Sequence, residues 1–483
     1  MNQFRFRLLI GGLFLLLSLG LRAQEGQLET IRGLMYSELE AGNYSLAVTR
    51  GLDLVSSAGK SYGQRAMEVG DALESLGDLY LRMAEYSLAI QWYSKALAHR
   101  QNNLGKNAPE TARTHAFIGK TFLEAGNLDL ARTYLQRSLD ILSGNPLPLP
   151  ELVVIPLEQL ANLHYQQKKL SQADSLYQQV MQLQEGLYGL QSAPLARSLN
   201  NVAGVYVAQG RVEKAIAFYT HALNMQRAVL GQDHLETATT LINLAVCYDK
   251  KGEFKHAEKT LLKALEIREK WLPASHQLIS FTIDNLVALY LSMERYGLAE
   301  EYLNQLAQDW ELAYGAEDLA IALISDKFAA YHLARDQPKI AIHYMKVALD
   351  IRENRLGLRH DDVAANLYNI GKLENALGQH AQARITLLRA LDIYETNRLG
   401  DEASMTAILA ELMLTDLALG QTSQAEQHLL LILDIKSAVY GPAHGQVAAV
   451  LEELFKFYQK TENPRAASEI QARLSALKGN LRP

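Results

Sequence analysis

Along Ser198–Ala208, and again along Val212–Ala228, apolar and small side chains return at helical spacing, and Gln209-Gly210-Arg211 interrupts them. In the second stretch Ala215, Tyr219, Ala222 and Leu223 share one face. The two alanines let a neighbouring backbone approach, while Tyr219 and Leu223 fill the groove beside them. The pattern recurs along the chain. Alanine stands at Ala47, Ala89, Ala131, Ala173, Ala215, Ala257, Ala299, Ala341, Ala383, Ala425 and Ala467, always 42 residues apart. Thirteen residues before each is an apolar anchor: Leu34, Leu76, Ile118, Leu160, Val202, Leu244, Leu286, Phe328, Ile370, Leu412 and Leu454. The next residue is small in most repeats, as at Gly77, Gly119, Ala161, Ala203, Ala245, Ala329 and Gly371. A period kept over eleven repeats predicts stacked helix pairs, none of which buries its apolar face alone.

Glycine punctuates both turns of the repeat. Gly42, Gly126, Gly210, Gly252, Gly378 and Gly420 follow the first helix, where a positive φ is expected to end it. Gly63, Gly105, Gly189, Gly231, Gly315, Gly357 and Gly441 mark the link to the next pair. The proline-rich run Gly144–Pro150 falls in the same slot and reads as a stiffened connection. In the last repeat Glu452, Glu453, Lys456 and Gln459 give a polar side suited to a terminal cap, and no effector domain is expected after it.

A chain of 483 residues exceeds one compact core, and its 11 prolines and unbroken period favour a continuous array over linked domains. Residues 1–23 read as a secretory signal, with Arg5 and Arg7 before the 14-residue apolar run Leu8–Leu21. That run falls short of the roughly 20 residues of a spanning helix, so cleavage is expected after Ala23, with Gly20 as the alternative site. An uncleaved anchor is the competing reading. With no cysteine near the cleavage site, lipid modification there is excluded. The expected location is periplasmic or extracellular, and residues 24–483 form the helical array. The mature portion carries 44 basic and 53 acidic side chains, a net charge of −9, which argues against nucleic acid or an anionic membrane as partner. The single cysteine, Cys247, rules out an internal disulfide.

Leu76-Gly77-x-x-Tyr80, followed by Ala89, Tyr93 and Ala96, resembles the tetratricopeptide repeat. The 42-residue length, with Leu230-Gly231-Gln232-Asp233-His234 and Asn243-Leu244-Ala245, is similar to the kinesin-light-chain-like subtype. The resemblance covers Gln27 to the C-terminus. It implies an all-α fold, a right-handed superhelical solenoid of about eleven helix-turn-helix repeats. Leu235, Gln277, Asp361 and Gly445 stand where the subtype has proline, so its cargo preferences are not carried over.

No residues compose an active site, a cofactor site or a metal site. Gly59-Lys60-Ser61 lacks the earlier glycine and the preceding strand of a phosphate-binding loop and reads as a connection. His234, His276, His360 and His444 share one repeat position just before a first helix, which spreads them along a line and suits capping. Cys247 reads as a small packed side chain.

Asn201, Asn243, Asn285 and Asn369 share the position before the apolar anchor. By resemblance this side of the first helix lines a concave groove, where an amide can donate to and accept from a peptide backbone. Arg197, Asn200, Thr239 and Asp284 are expected nearby, with Lys372 and Asn375 further along. The other reading is that these amides tie adjacent helices together. A carboxylate clamp is not supported, because its lysine position holds Glu158, Asn200, Ile242 and Asp284. The function expected is a non-enzymatic scaffold binding a protein or peptide. The alternative is a sensory or regulatory subunit of an envelope complex.

Overall fold

The computed structural model describes residues 26–39, 42–146, 149–397 and 402–480. The expected secretory segment, residues 1–23, lies outside the described residues, as do Leu147 and Pro148 of the proline-rich connection. Among the described residues every regular element is α-helical.

The first helices of the repeats are α1 (residues 26–39), α3 (Met67–Arg82), α5 (Pro109–Glu124), α7 (Pro150–Gln166), α9 (Ala193–Ala208) and α11 (Leu235–Lys250), then α13 (Gln277–Ser292), α15 (Leu319–Ala334), α17 (Asp361–Ala376), α19 (Glu402–Ala418) and α21 (Gly445–Lys460). The second helices are α2 (Tyr44–Tyr62), α4 (Tyr86–Asn103), α6 (Leu128–Ser143), α8 (Leu170–Tyr188), α10 (Val212–Leu230) and α12 (Phe254–Trp271), then α14 (Tyr296–Tyr314), α16 (Pro338–Leu356), α18 (His380–Asn397), α20 (Thr422–Tyr440) and α22 (Pro464–Asn480). Each second helix begins 42 residues after the last, so the sequence period is the structural one.

The turn within each pair has one geometry. Gly42, Gly126, Gly210, Gly252, Gly378 and Gly420 take φ between 72° and 80°, and Ala84, Lys168, Glu294, Asp336 and Glu462 hold the same repeat position at 54° to 58°. The next amide then reaches back to a first-helix carbonyl, as from Arg211 to Tyr206 (2.8 Å) and from Glu85 to Tyr80 (2.9 Å). This left-handed closure satisfies carbonyls the helix end would otherwise leave open. Gly59-Lys60-Ser61, expected in a connection, instead lies in α2, which continues to Tyr62 before Gly63 caps it.

The repeat alanines from Ala47 to Ala425 are fully buried, and the last, Ala467, is nearly so. Small residues beside the anchors serve the same close approach: a Cβ on Gly119 would lie 2.7 Å from Leu135 Cγ, and one on Gly371 2.6 Å from Leu387 Cγ. Ten of the eleven anchors are buried, but Leu34 is 43% exposed. An anchor packs against the preceding pair, as Leu76 does against Met35 and Ala47. No pair precedes α1 among the described residues, and Met35 turns inward in place of Leu34.

The chain divides within α12 into two compact units, one ending at Thr260 and one beginning at Leu261. The first unit has a string of local cores, such as Leu54, Leu73 and Ala96, then Tyr93 and Ile118, then Leu123, Ala131 and Leu163. Among the described residues, the second has a continuous core running from Leu349 to Leu477.

Candidate functional site

A helix pair buries the side of its first helix that faces the second, and what remains of the first helix is a strip running from repeat to repeat. Polar side chains on this strip bond to the equivalent strip one repeat away. In the first unit Tyr36 Oη donates to Asp78 (3.0 Å), Arg32 Nε to Ser75 (3.2 Å) and Arg113 Nη2 to Asp71 (2.6 Å), spans of 42 or 43 residues. Asn201 Nδ2 donates to Glu158 Oε1 (3.1 Å), and Asn243 Nδ2 to Asn200 Oδ1 (3.3 Å), both across 43 residues. Burial pushes the Glu158 carboxyl up, and Arg197, Lys120 and the Asn201 bond pull it back. Arg197 reaches Glu236 on α11 (3.0 Å), and Thr239 donates to the Leu235 carbonyl of its own helix (3.4 Å). Arg197, Asn200, Asn201, Thr239 and Asn243 thus form one polar strip on α9 and α11.

The expected residues of the second unit divide. Asp284 accepts from Lys327 Nζ (2.6 Å), one repeat on, and Asn285 turns back to the Phe281 carbonyl (2.7 Å). On α17, Asn375 accepts from His380 (2.6 Å) and donates to Glu411 (3.4 Å), while Asn369 and Lys372 are exposed. Asn369 lines a cavity of about 550 Å³ between α15 and α17.

Sequence reasoning missed a buried charge network. Arg100, 3% exposed, bonds Glu74 and Asp71 (2.6 Å) as well as the Glu110 carbonyl and Thr114 Oγ1 (both 2.9 Å). Arg113 closes the network from α5. Arg268 and Arg352 occupy the same repeat position: Arg268 donates to the Leu278 carbonyl (2.6 Å) and Thr282 (2.7 Å), and Arg352 pairs with Asp326 (3.3 Å). The signal was an arginine at a core-spaced position of the second helix, recurring at multiples of 42.

The other candidates have structural roles. Nδ1 of His234, His276, His360 and His444 accepts the backbone N–H two residues on, at 3.1–3.2 Å, and Asp318 caps from the same position. Cys247 is fully buried, and burial pushes its thiol up to about 11. Among the described residues no group of three or more His, Cys, Asp or Glu could hold a metal ion, and no helix is long and apolar enough to cross a membrane.

The Tetratricopeptide repeat family matches residues 68–143, 152–228, 194–270 and 364–397, and each segment begins within a first helix and ends at or near the end of a second. The chain carries tetratricopeptide repeats. Among curated proteins none matches it. Similar solved structures include BtubC (BKLC) from P. vanneervenii, 19% identical over 48% of this chain and 91% of that one, with a TM-score of 0.40. A Podosopora anserina protein of nearly identical TPR-like repeats, named for kinesin light chain, is 20% identical over 43% of this chain and 98% of that one (TM-score 0.38). A Rap protein complexed with Competence and Sporulation Factor is 16% identical over 78% of this chain and 99% of that one (TM-score 0.45). Stacked tetratricopeptide repeats are an architecture of protein–protein interaction scaffolds.

Proposed function

We propose that the chain is an exported scaffold that holds an extended peptide or a helical face of a partner protein along its first-helix strip. The observation carrying this reading is the strip on α9 and α11: Asn201 and Asn243 are each held by a neighbour one repeat away and stay half-exposed. Each tie uses one N–H and leaves the Oδ1 of the donating amide for a ligand backbone. Amides already held in place add little ordering cost on binding. Arg197, Thr239, Asp284, Asn285, Asn369, Lys372 and Asn375 extend the strip within their own units. The export half of the proposal rests on residues 1–23; intact mass of exported protein should lack them, and a retained segment would make it an anchor instead.

The binding half is tested by selecting peptides from a random displayed library against the full mature chain. Asn201→Ala with Asn243→Ala should weaken the selected peptides by roughly 1–3 kcal/mol, the scale of hydrogen bonds lost at a desolvated site. If the double variant melts early while its folded fraction binds normally, the amides are ties only and the strip is not the binding face.

A further inference from the structure

The cavity between α15 and α17 has a chemistry unlike the polar strip of the first unit. Leu319, Leu323, Leu333 and Met345 line it, with Ala330 and Ala365 as low walls that leave the space open. Leu323 and Leu333 are 49% and 40% exposed, more than helix packing requires of either. Deeper polar groups are matched among themselves: Arg352 pairs with Asp326, and Asn366 lies between Arg352 and the Met345 carbonyl (3.1 Å).

Two polar groups of the lining stand exposed at its edge. Asn369 makes no side-chain hydrogen bond among the described residues. The Asp362 carboxylate stands exposed in the first turn of α17, 3.6 Å from His360 Nδ1, the nitrogen that accepts the Asp362 backbone N–H (3.1 Å). The cavity therefore has apolar walls, an open amide and a negative charge at its rim. A neutral apolar ligand would make no use of Asp362, and a fatty acid would set carboxylate against carboxylate.

We infer that this cavity is an anchor site for a protein partner's peptide segment, taking one bulky aliphatic or aromatic side chain that stands next to a lysine or arginine. The apolar side chain fills the space between α15 and α17, the cation meets Asp362, and Asn369 bonds the peptide backbone. The inference rests on the peptide-binding reading above and names the ligand chemistry at one place on the strip.

The probe is a random peptide library displayed on phage, selected against the full mature chain, with the enriched peptides measured by fluorescence anisotropy. Enriched sequences should share a Leu, Ile, Met or Phe adjacent to Lys or Arg. Ala330→Phe and Ala365→Phe, both at exposed positions, should fill the cavity and weaken these peptides about tenfold or more, with unchanged melting. Asp362→Lys should reject them and accept peptides whose basic residue is replaced by Glu. Enriched peptides bound equally by the filled variants would overturn the anchor site and leave the scaffold reading standing. A consensus without the apolar–cationic pair, or preference for a long-chain carboxylic acid over peptides, would overturn the ligand chemistry. No enrichment at all would remove both readings.

Discussion

Five repeats close their internal turn with a residue poorly suited to it, and replacing that residue by glycine should stabilise the protein. Ala84 and Lys168 in the first unit, and Glu294, Asp336 and Glu462 in the second, sit at φ 54–58° where the other six repeats have glycine. Left-handed backbone costs an ordinary L-residue about 1–2 kcal/mol. Glycine removes that cost but loses about 0.4–1 kcal/mol through its freer unfolded chain. All five side chains are exposed, so no packing is lost. The net gain is about 0.5–1 kcal/mol per site. The sites are a repeat or more apart and share no partner, so gains should add, to about 1.5–3 kcal/mol for the three in the second unit. Urea unfolding of the full chain followed by circular dichroism measures the sum, and hydrogen exchange locates it, because repeat stability is a local quantity. Gly210→Ala is the reciprocal test and should lose a similar amount. A neutral or destabilising Glu294→Gly, together with a harmless Gly210→Ala, would refute the argument that this turn demands the left-handed conformation.

Glu74→Ala leaves Arg100 buried beside Asp71 alone and should cost about 3–5 kcal/mol, whereas the apolar pair Glu74→Leu with Arg100→Met should recover most of it in thermal melts. His276 has its ring held below the ordinary histidine range by burial and by the Arg268 guanidinium, so folding favours the neutral ring that caps α13. Its contribution is complete above the unfolded value of about 6.5 and is lost as pH falls below it. His276→Asp, the residue used at Asp318 one repeat on, should remove that dependence in pH-resolved melting. Cys247, buried with its thiol pushed up to about 11, should react with a thiol reagent at pH 8 only as fast as α11 opens, and labelling that ignores added denaturant would contradict this.

The fold was legible because its demands recur. An alanine with no room for a larger side chain, an apolar anchor and a left-handed turn residue are needed once per repeat, and 42-residue spacing exposes each. Leu34 shows the limit of reading by register: it matches the pattern but stays exposed, since burial of an anchor depends on a preceding pair. The capping histidines were legible for the same reason as the turns. The strip was only half legible. Spacing placed Asn201 and Asn243 at one repeat position of their helices, but which acceptor each meets depends on Glu158 and Asn200, 43 residues earlier. The Asp362 cavity was not legible, because it is made by what is absent: small residues at Ala330 and Ala365 where two first helices pass.

The repeats thereby separate two kinds of position within one chain. Where packing dictates the residue, the repeats agree; the alanine position is the extreme case. Where packing is indifferent, they diverge, and the first-helix strip is among the places where they do. The position of Arg197 holds Asp71 and Arg113 in other repeats of its unit, and Phe281, Leu323 and Ala365 in the second unit. A purely structural strip would be expected to reuse one solution, as the turn reuses one backbone geometry. Instead the first unit uses bonded amides and ion pairs, while the second adds to its own ties an apolar cavity with an exposed carboxylate at its rim. Differences that the fold does not require are the ones a ligand can select, which is why the proposed binding face is sought on this strip.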